Sequence, residues 1–171
     1  MKILLACEGQ SEVELITNLL ERGYLHFDAP ILLDKPIVLR QLSKIAYAIN
    51  TLDIKEQIVV YRIGDTLNEK MSLDGFQMRS DYIKQFKVCT KRELEMLIII
   101  NEGLIDEYNK CSATVKPKSF IKSHIPGLNL KKYFESHDLI NAIKEYKRIK
   151  KHKKDEFYLI DLIEGTISKG Y

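Results

Sequence analysis

The chain has 171 residues, 45% of them hydrophobic and 30% charged, with a formal net charge of +3. That length fits one domain with a sizeable core, and the composition belongs to globular proteins rather than disordered or fibrous ones. The apolar runs, "LIII" at 97–100 the strongest, are too short to span a bilayer, and Met1-Lys2 lacks the basic opening of a secretory signal, so a cytoplasmic protein with no membrane role is expected. Cys7, Cys89 and Cys111 are odd in number and lack CxxC spacing, which fits free thiols better than disulfides or structural zinc.

In chain order, "KILLA" (2–6) predicts a short strand buried on both faces. "SEVELITNLLERG" predicts a helix opened by a capping box of Ser11 and Glu14, striped by Val13, Ile16, Leu19 and Leu20, and stopped at Gly23. "ILL" (31–33) reads as a second short strand, and "IVLRQLSKIAYAINTL" after Pro36 as an amphipathic helix. "QIVVYRI" (57–63) is a β-branched strand ending at Gly64-Asp65; "LDGFQMRSDYIKQF" is loop or weak helix; "FKVC" (86–89) is a further strand. "KRELEMLIIINEGLIDEYNK" predicts one long helix, apolar nearly all round and therefore central. The alternation predicts an α/β fold, a three-layer Rossmann-like sandwich with a mainly parallel sheet over 1–109. Residues 110–171, broken by Pro117, Pro126 and Gly127, predict a helical, basic extension packed on that core, with a basic helix at "LINAIKEYKRIKKHKK" and a last apolar helix at "DEFYLIDLIEGTI".

Charge is unevenly spread. Residues 1–109 carry 13 Lys/Arg against 17 Asp/Glu, residues 110–154 carry 13 against 3, and residues 155–171 carry 1 against 4. An acidic front followed by a basic stretch suits a metal site beside a polyanion-binding face; a solvated lysine-rich helix is the plainer account. Lys116, Lys118, Lys122, Lys131 and Lys132, interleaved with Phe120, Tyr133 and Phe134, combine charge for phosphate with rings that either stack on bases or fill the core. Lys147, Arg148, Lys150 and Lys151 extend the basic block.

The acids fall at strand ends. Glu8 follows the first strand, Asp65 the strand at 57–63, and Glu93 and Glu95 the strand at 86–89, and loops after parallel strands share one edge. Carboxylates gathered without lysines between them call for a hard divalent cation, and Mg²⁺ takes one or two carboxylates while keeping waters for a substrate phosphate. Simpler roles stand beside these: Ser11 as a cap, Glu12 and Glu14 as helix-dipole residues, Asp65 as a turn residue. Glu93 and Glu95 point to opposite sides of a helix, so only one reaches a shared ion; Glu95 is the favoured ligand, with Glu93 as the dipole residue. Gly9 suits a sharp turn or close approach to a ligand. Cys7 has no placed histidine, the four histidines show no metal spacing, and no GxxxxGK[ST] is present.

"ILLACEGQSEVELI" resembles the opening motif of Toprim domains, an apolar strand followed by Glu, Gly, any residue, Ser/Thr and Asp/Glu; Glu8, Gly9, Ser11 and Glu12 occupy those positions. "RELEMLIII" (92–100) resembles a motif of the small Toprim-like proteins of bacterial phage-defence loci, the RloB type among them, so the likeness covers roughly residues 2–100. It implies a Rossmann-like sheet with a Mg²⁺ (or Mn²⁺) site used in phosphodiester chemistry. By position, Glu8 becomes general acid/base or metal ligand, Asp65 a metal ligand, and Glu95 completes the site, with Glu12 and Glu69 as supporting ligands. Toprim domains carry Asp-x-Asp after the later strand, whereas this chain reads Asp65-Thr66-Leu67-Asn68-Glu69, so Glu69 or Asn68 stands in for the second aspartate. The expected function is a metal-dependent nuclease or related phosphodiester-cleaving enzyme acting on RNA or DNA, an antiviral effector working with a partner ATPase or other defence protein. The alternatives are a non-catalytic nucleic-acid- or protein-binding module on a degenerate scaffold of the same kind, and small-molecule phosphate binding on a generic Rossmann-like sheet.

Overall fold

Leu4, Leu5, Ala6 and Cys7 are wholly buried in β1 (Lys2–Cys7), which lies inside the sheet and is covered on both faces, hence its unbroken apolar run. The computed structural model describes residues 1–65, 70–150 and 156–167. β1 pairs with β2 (Ile37–Val38) on one side and with β3 (Ile58–Gly64) on the other; β4 (Ile83–Cys89) pairs with β3, and every pairing is parallel. The order β2-β1-β3-β4 means that the chain leaves β1 in one direction and β3 in the other. A topological switch point therefore lies between the carboxyl ends of β1 and β3, where such sheets open a crevice.

The two faces are dressed unequally. Ile3, Leu5, Cys7, Tyr61, Ile63, Phe86 and Val88 pack under α1 (Gln10–Glu21), α3 (Glu93–Asn101) and the helices that follow. Leu4, Ala6, Ile58, Val60 and Ile83 pack under α2 (Ala46–Asn50) and its flanking turns, through Leu42, Ile49, Met71 and Phe76. On that second face the buried Arg79 guanidinium donates to the carbonyls of Ile49 and Asp53, closing the carboxyl end of α2. The result is the three-layer α/β arrangement expected. No helix among the described residues is long and apolar enough to cross a membrane.

Four elements differ from expectation. Residues 29–31 form a 3₁₀ turn, and Leu32 touches β1 through a single bridge to Ile3, so "ILL" is not a strand. The second strand is Ile37–Val38, inside the segment that reads as a helix; α2 is confined to Ala46–Asn50 after a 3₁₀ turn at Leu42–Ile45. Pairing decides it: the Leu39 N–H donates to the Cys7 carbonyl at 3.1 Å, and Leu39 is buried, so the edge of β1 outcompetes local periodicity. The capping box is absent: α1 starts at Gln10 with Gly9 as its cap, no side chain caps it, and Gln10 Nε2 bonds Glu14 instead. The long helix ends at Asn101, because Gly103 turns left-handed (φ +69°) and lets the Gly103 and Leu104 amides bond back to Ile100 and Ile99; α4 (Ile105–Cys111) follows.

α5 (Pro117–His124), α6 (Leu130–Ser136), α7 (Ile140–Ile149) and α8 (Leu159–Glu164) add Phe120, Phe134, Ile143 and Leu159 to the same apolar cluster that lies under α1 and α3. α6 runs along α1, where Asn18 Nδ2 donates to the Glu135 carbonyl at 2.8 Å, and α5 and α7 flank α3. The expected basic helix stops at Ile149; Lys151 to Lys154 lie outside the described residues.

Candidate functional site

The turn from β1 into α1 builds one wall of the switch-point crevice. The Glu8 amide donates to the Ile63 carbonyl at 2.8 Å, extending the β1–β3 pairing by one residue and fixing Glu8 beside the end of β3. The Asp65 amide in turn donates to Glu8 Oε2 at 3.0 Å. Glu12, in the first turn of α1, is held by Thr90, whose hydroxyl lies 3.5 Å from its Oε1; Thr90 is the residue after β4 and its own amide bonds the Gly64 carbonyl at 3.1 Å. Gly9, extended at φ −143°, leaves room for the Glu12 carboxylate, since a Cβ there would lie 3.0 Å from Glu12 Oε2. Three strand ends, β1, β3 and β4, thus converge on Glu8, Asp65, Glu12 and Thr90.

The charges in this crevice oppose one another. Burial raises the pKa of Glu12, partly offset by its own backbone N–H, and the charges of Glu8 and Asp65 raise it further. Asp65 is raised first by burial, then by the charge of Glu8 and a side-chain hydrogen bond to it, with Lys91 acting in the other direction. Carboxylates that raise one another's pKa hold protons, or attract a cation, more readily than isolated ones. The donors are carboxylate and hydroxyl oxygens, the hard ligands that suit Mg²⁺ or Mn²⁺. Among the described residues, however, no three His, Cys, Asp or Glu side chains are grouped closely enough to hold an ion. Glu69 and its neighbours Thr66 to Asn68, next along the chain from Asp65, lie outside the described residues.

The remaining expected site residues are distributed elsewhere. Glu95 is half-buried and is not among the charges that act on Glu12 or Asp65; it lines a cavity with Lys118 and Lys122. Glu93, expected as the helix-dipole residue, is only 1% exposed beneath α7 and α8. Burial lifts its pKa to about 8, against the opposing influence of Lys150 and a hydrogen bond from the Leu159 amide. Phe120, Tyr133 and Phe134 are buried core side chains, so they do not stack on bases; the Tyr133 hydroxyl donates to Glu102 at 2.6 Å. Hydrophobic spacing within α5 and α6 is the signal that marks them as core.

The basic residues sort into two groups. Lys131 pairs with Glu14 (3.5 Å), Lys147 with Glu164 (2.6 Å) and Arg148 with Glu145 (3.1 Å), while Lys150 stands over the Tyr158 ring at 4.6 Å from its centroid. Lys116, Lys118, Lys122 and Lys132 are exposed and make no ion pair among the described residues. Lys151 lies outside those residues. Three of these four lysines lie on or just before α5, and Lys132 lies on α6. Thr90 is the one contributor to the crevice that sequence reasoning passed over; its place directly after "FKVC" is the signal that could have found it. No protein-family model, curated protein or solved structure matches this chain.

Proposed function

We propose that the protein is a divalent-cation-dependent phosphodiesterase acting on nucleic acid, a Toprim-like nuclease of the kind its two short motifs resemble. The observation that carries this reading is the convergence of Glu8, Asp65 and Glu12 in the crevice between the carboxyl ends of β1 and β3, linked by the 3.0 Å bond from the Asp65 amide to Glu8. Glu8 and Asp65 would hold Mg²⁺ or Mn²⁺, with Glu12 as a supporting group and Glu95 outside the trio. A bound divalent ion there would offset charge on a phosphate's nonbridging oxygens and lower the pKa of a coordinated water. Glu12, whose pKa is raised first by burial and then by the charges of Glu8 and Asp65, would be the group to deliver a proton to the leaving oxygen. The unpaired lysines on and before α5 supply attraction for the polyanion. A cytoplasmic antiviral effector working with a second defence protein is the setting the motifs imply.

The lack of a ready three-donor group among the described residues favours a second reading, a nucleic-acid-binding module without chemistry on the same scaffold. Labelled RNA and DNA incubated with Mg²⁺, with Mn²⁺ and with chelator separate the two. Cleavage that needs metal and disappears in Glu8→Ala supports the enzyme; binding without cleavage, unchanged by Glu8→Ala, supports the module.

A further inference from the structure

α5 presents Lys118, Ile121, Lys122 and Ile125 along one stripe, at the spacing of i, i+3, i+4 and i+7. That stripe faces a cavity of about 280 Å³, closed by Glu95 of α3, by Gly127 and Leu128 in the turn after α5, and by Leu130 at the start of α6. Its floor is aliphatic and its polar groups are few and specific: two ammonium groups one helical turn apart, and one carboxylate. That is the make-up of a small-ligand site rather than of a packing defect, and its volume is close to the lower end of such sites.

The position of the cavity ties it to the acidic crevice. Glu95 lies in the first turn of α3, which begins three residues after Thr90, the residue that touches Glu12. The opposite wall is anchored to the same edge, because Lys131, next to Leu130, pairs with Glu14 in the amino-terminal half of α1. The cavity is thus bordered by α3, which starts just after Thr90, and by α6, which is tied to α1.

We propose that this cavity is a nucleotide subsite: the base lies on Ile121, Ile125, Leu128 and Leu130, Glu95 accepts a hydrogen bond from a base N–H, and Lys118 and Lys122 hold the adjoining phosphate. The charge pattern selects this occupant. An acyl chain would fit the floor but leaves Glu95 opposed, and a bare phosphate uses the lysines but not the floor. A nucleotide uses all three. The assignment rests on the nuclease reading only in that it names which part of the substrate lies beside the crevice.

Calorimetric titration tests it with the four common nucleoside 5′-monophosphates, ribose 5-phosphate, inorganic phosphate and dodecanoate as probes. The protein is the full chain carrying Glu8→Ala, in chelator, so that the crevice takes no part. At least one nucleotide should bind ten times more tightly than ribose 5-phosphate. Leu128→Trp, which fills the cavity, and the surface double reversal Lys118→Glu/Lys122→Glu should each weaken that binding at least tenfold, whereas Lys55→Glu, at an exposed position that does not line the cavity, should change it less than twofold. The double reversal lies on exposed positions and keeps the test decisive if Leu128→Trp fails to fold. Nucleotide binding no tighter than ribose 5-phosphate, binding that survives the reversal, or binding of dodecanoate alone overturns the subsite. Those results leave metal-dependent cleavage to be judged separately, and unmutated protein that binds the nucleotide but cleaves neither RNA nor DNA with Mg²⁺ or Mn²⁺ refutes the nuclease reading alone.

Discussion

Glu93 should make the protein measurably less stable as the solution turns alkaline. Its carboxyl is 1% exposed, its Oε2 has no hydrogen-bond partner among the described residues, and the groups around it are Lys150, Asp161 and the Leu159 amide, with Tyr146 nearby. An ordinary value of 4.5 raised to about 8 means that the folded state keeps a proton which the unfolded chain has already released. Stability from this group is fully present below pH 4.5, falls by about 1.4 kcal/mol per pH unit above it, and levels off beyond about pH 8. The full loss is on the order of 5 kcal/mol, an upper figure because water entry and relaxation soften burial. Glu93→Gln keeps the shape and the acceptor for Leu159 but removes the charge. Urea unfolding of both proteins between pH 5 and 9.5 should show them within about 1 kcal/mol of each other at pH 5, with the variant ahead by about 2 kcal/mol or more at pH 9. Parallel curves across the whole range would refute the reasoning, because Glu93 would then be ionised and fully compensated, chiefly by Lys150.

Other perturbations have equally definite outcomes. Gly165→Ala forces a left-handed residue (φ +66°) and brings Cβ within 3.1 Å of the His26 ring, so it should cost about 2 kcal/mol and lower Tm by roughly 4–8 °C. Gly103→Ala has a similar φ of +69° but open space, so thermal melts should show about half that loss; equal losses would mean that the His26 contact is immaterial. Arg79→Met removes the buried donors to Ile49 and Asp53 and should cost about 2–3 kcal/mol by urea unfolding. Asp65→Asn relieves the repulsion with Glu8 and Glu12, so the metal-free protein should gain up to about 1 kcal/mol; on the proposed metal site, added Mn²⁺ should raise the Tm of the wild type and not that of the variant.

β1 and β3 are legible because both faces of each are buried, which leaves continuous apolar runs that no surface element imitates. The acids at their ends are legible for the same reason, since a strand's end names the sheet edge. β2 is not legible: two residues carry no period, and their strand character comes from the unsatisfied edge of β1. Glu93 and Glu95 show the limit of helical spacing. Their positions dictate that they point apart, but which one is buried depends on α7 and α8 arriving from some sixty residues away. The lysines illustrate a different limit, because composition counts charges while pairing with Glu14, Glu145 and Glu164 decides which remain available.

The carboxyl end of β4's outer edge is capped by a residue far along the chain: the Cys89 amide donates to the Phe157 carbonyl at 2.7 Å, and Val88 bridges to Phe157. During synthesis that edge stays open until residue 157 has left the ribosome, so nascent chains carry an uncapped ladder that recruits other strands. Pausing translation while residue 157 is still inside the ribosome should therefore raise the aggregated fraction without altering the folded protein.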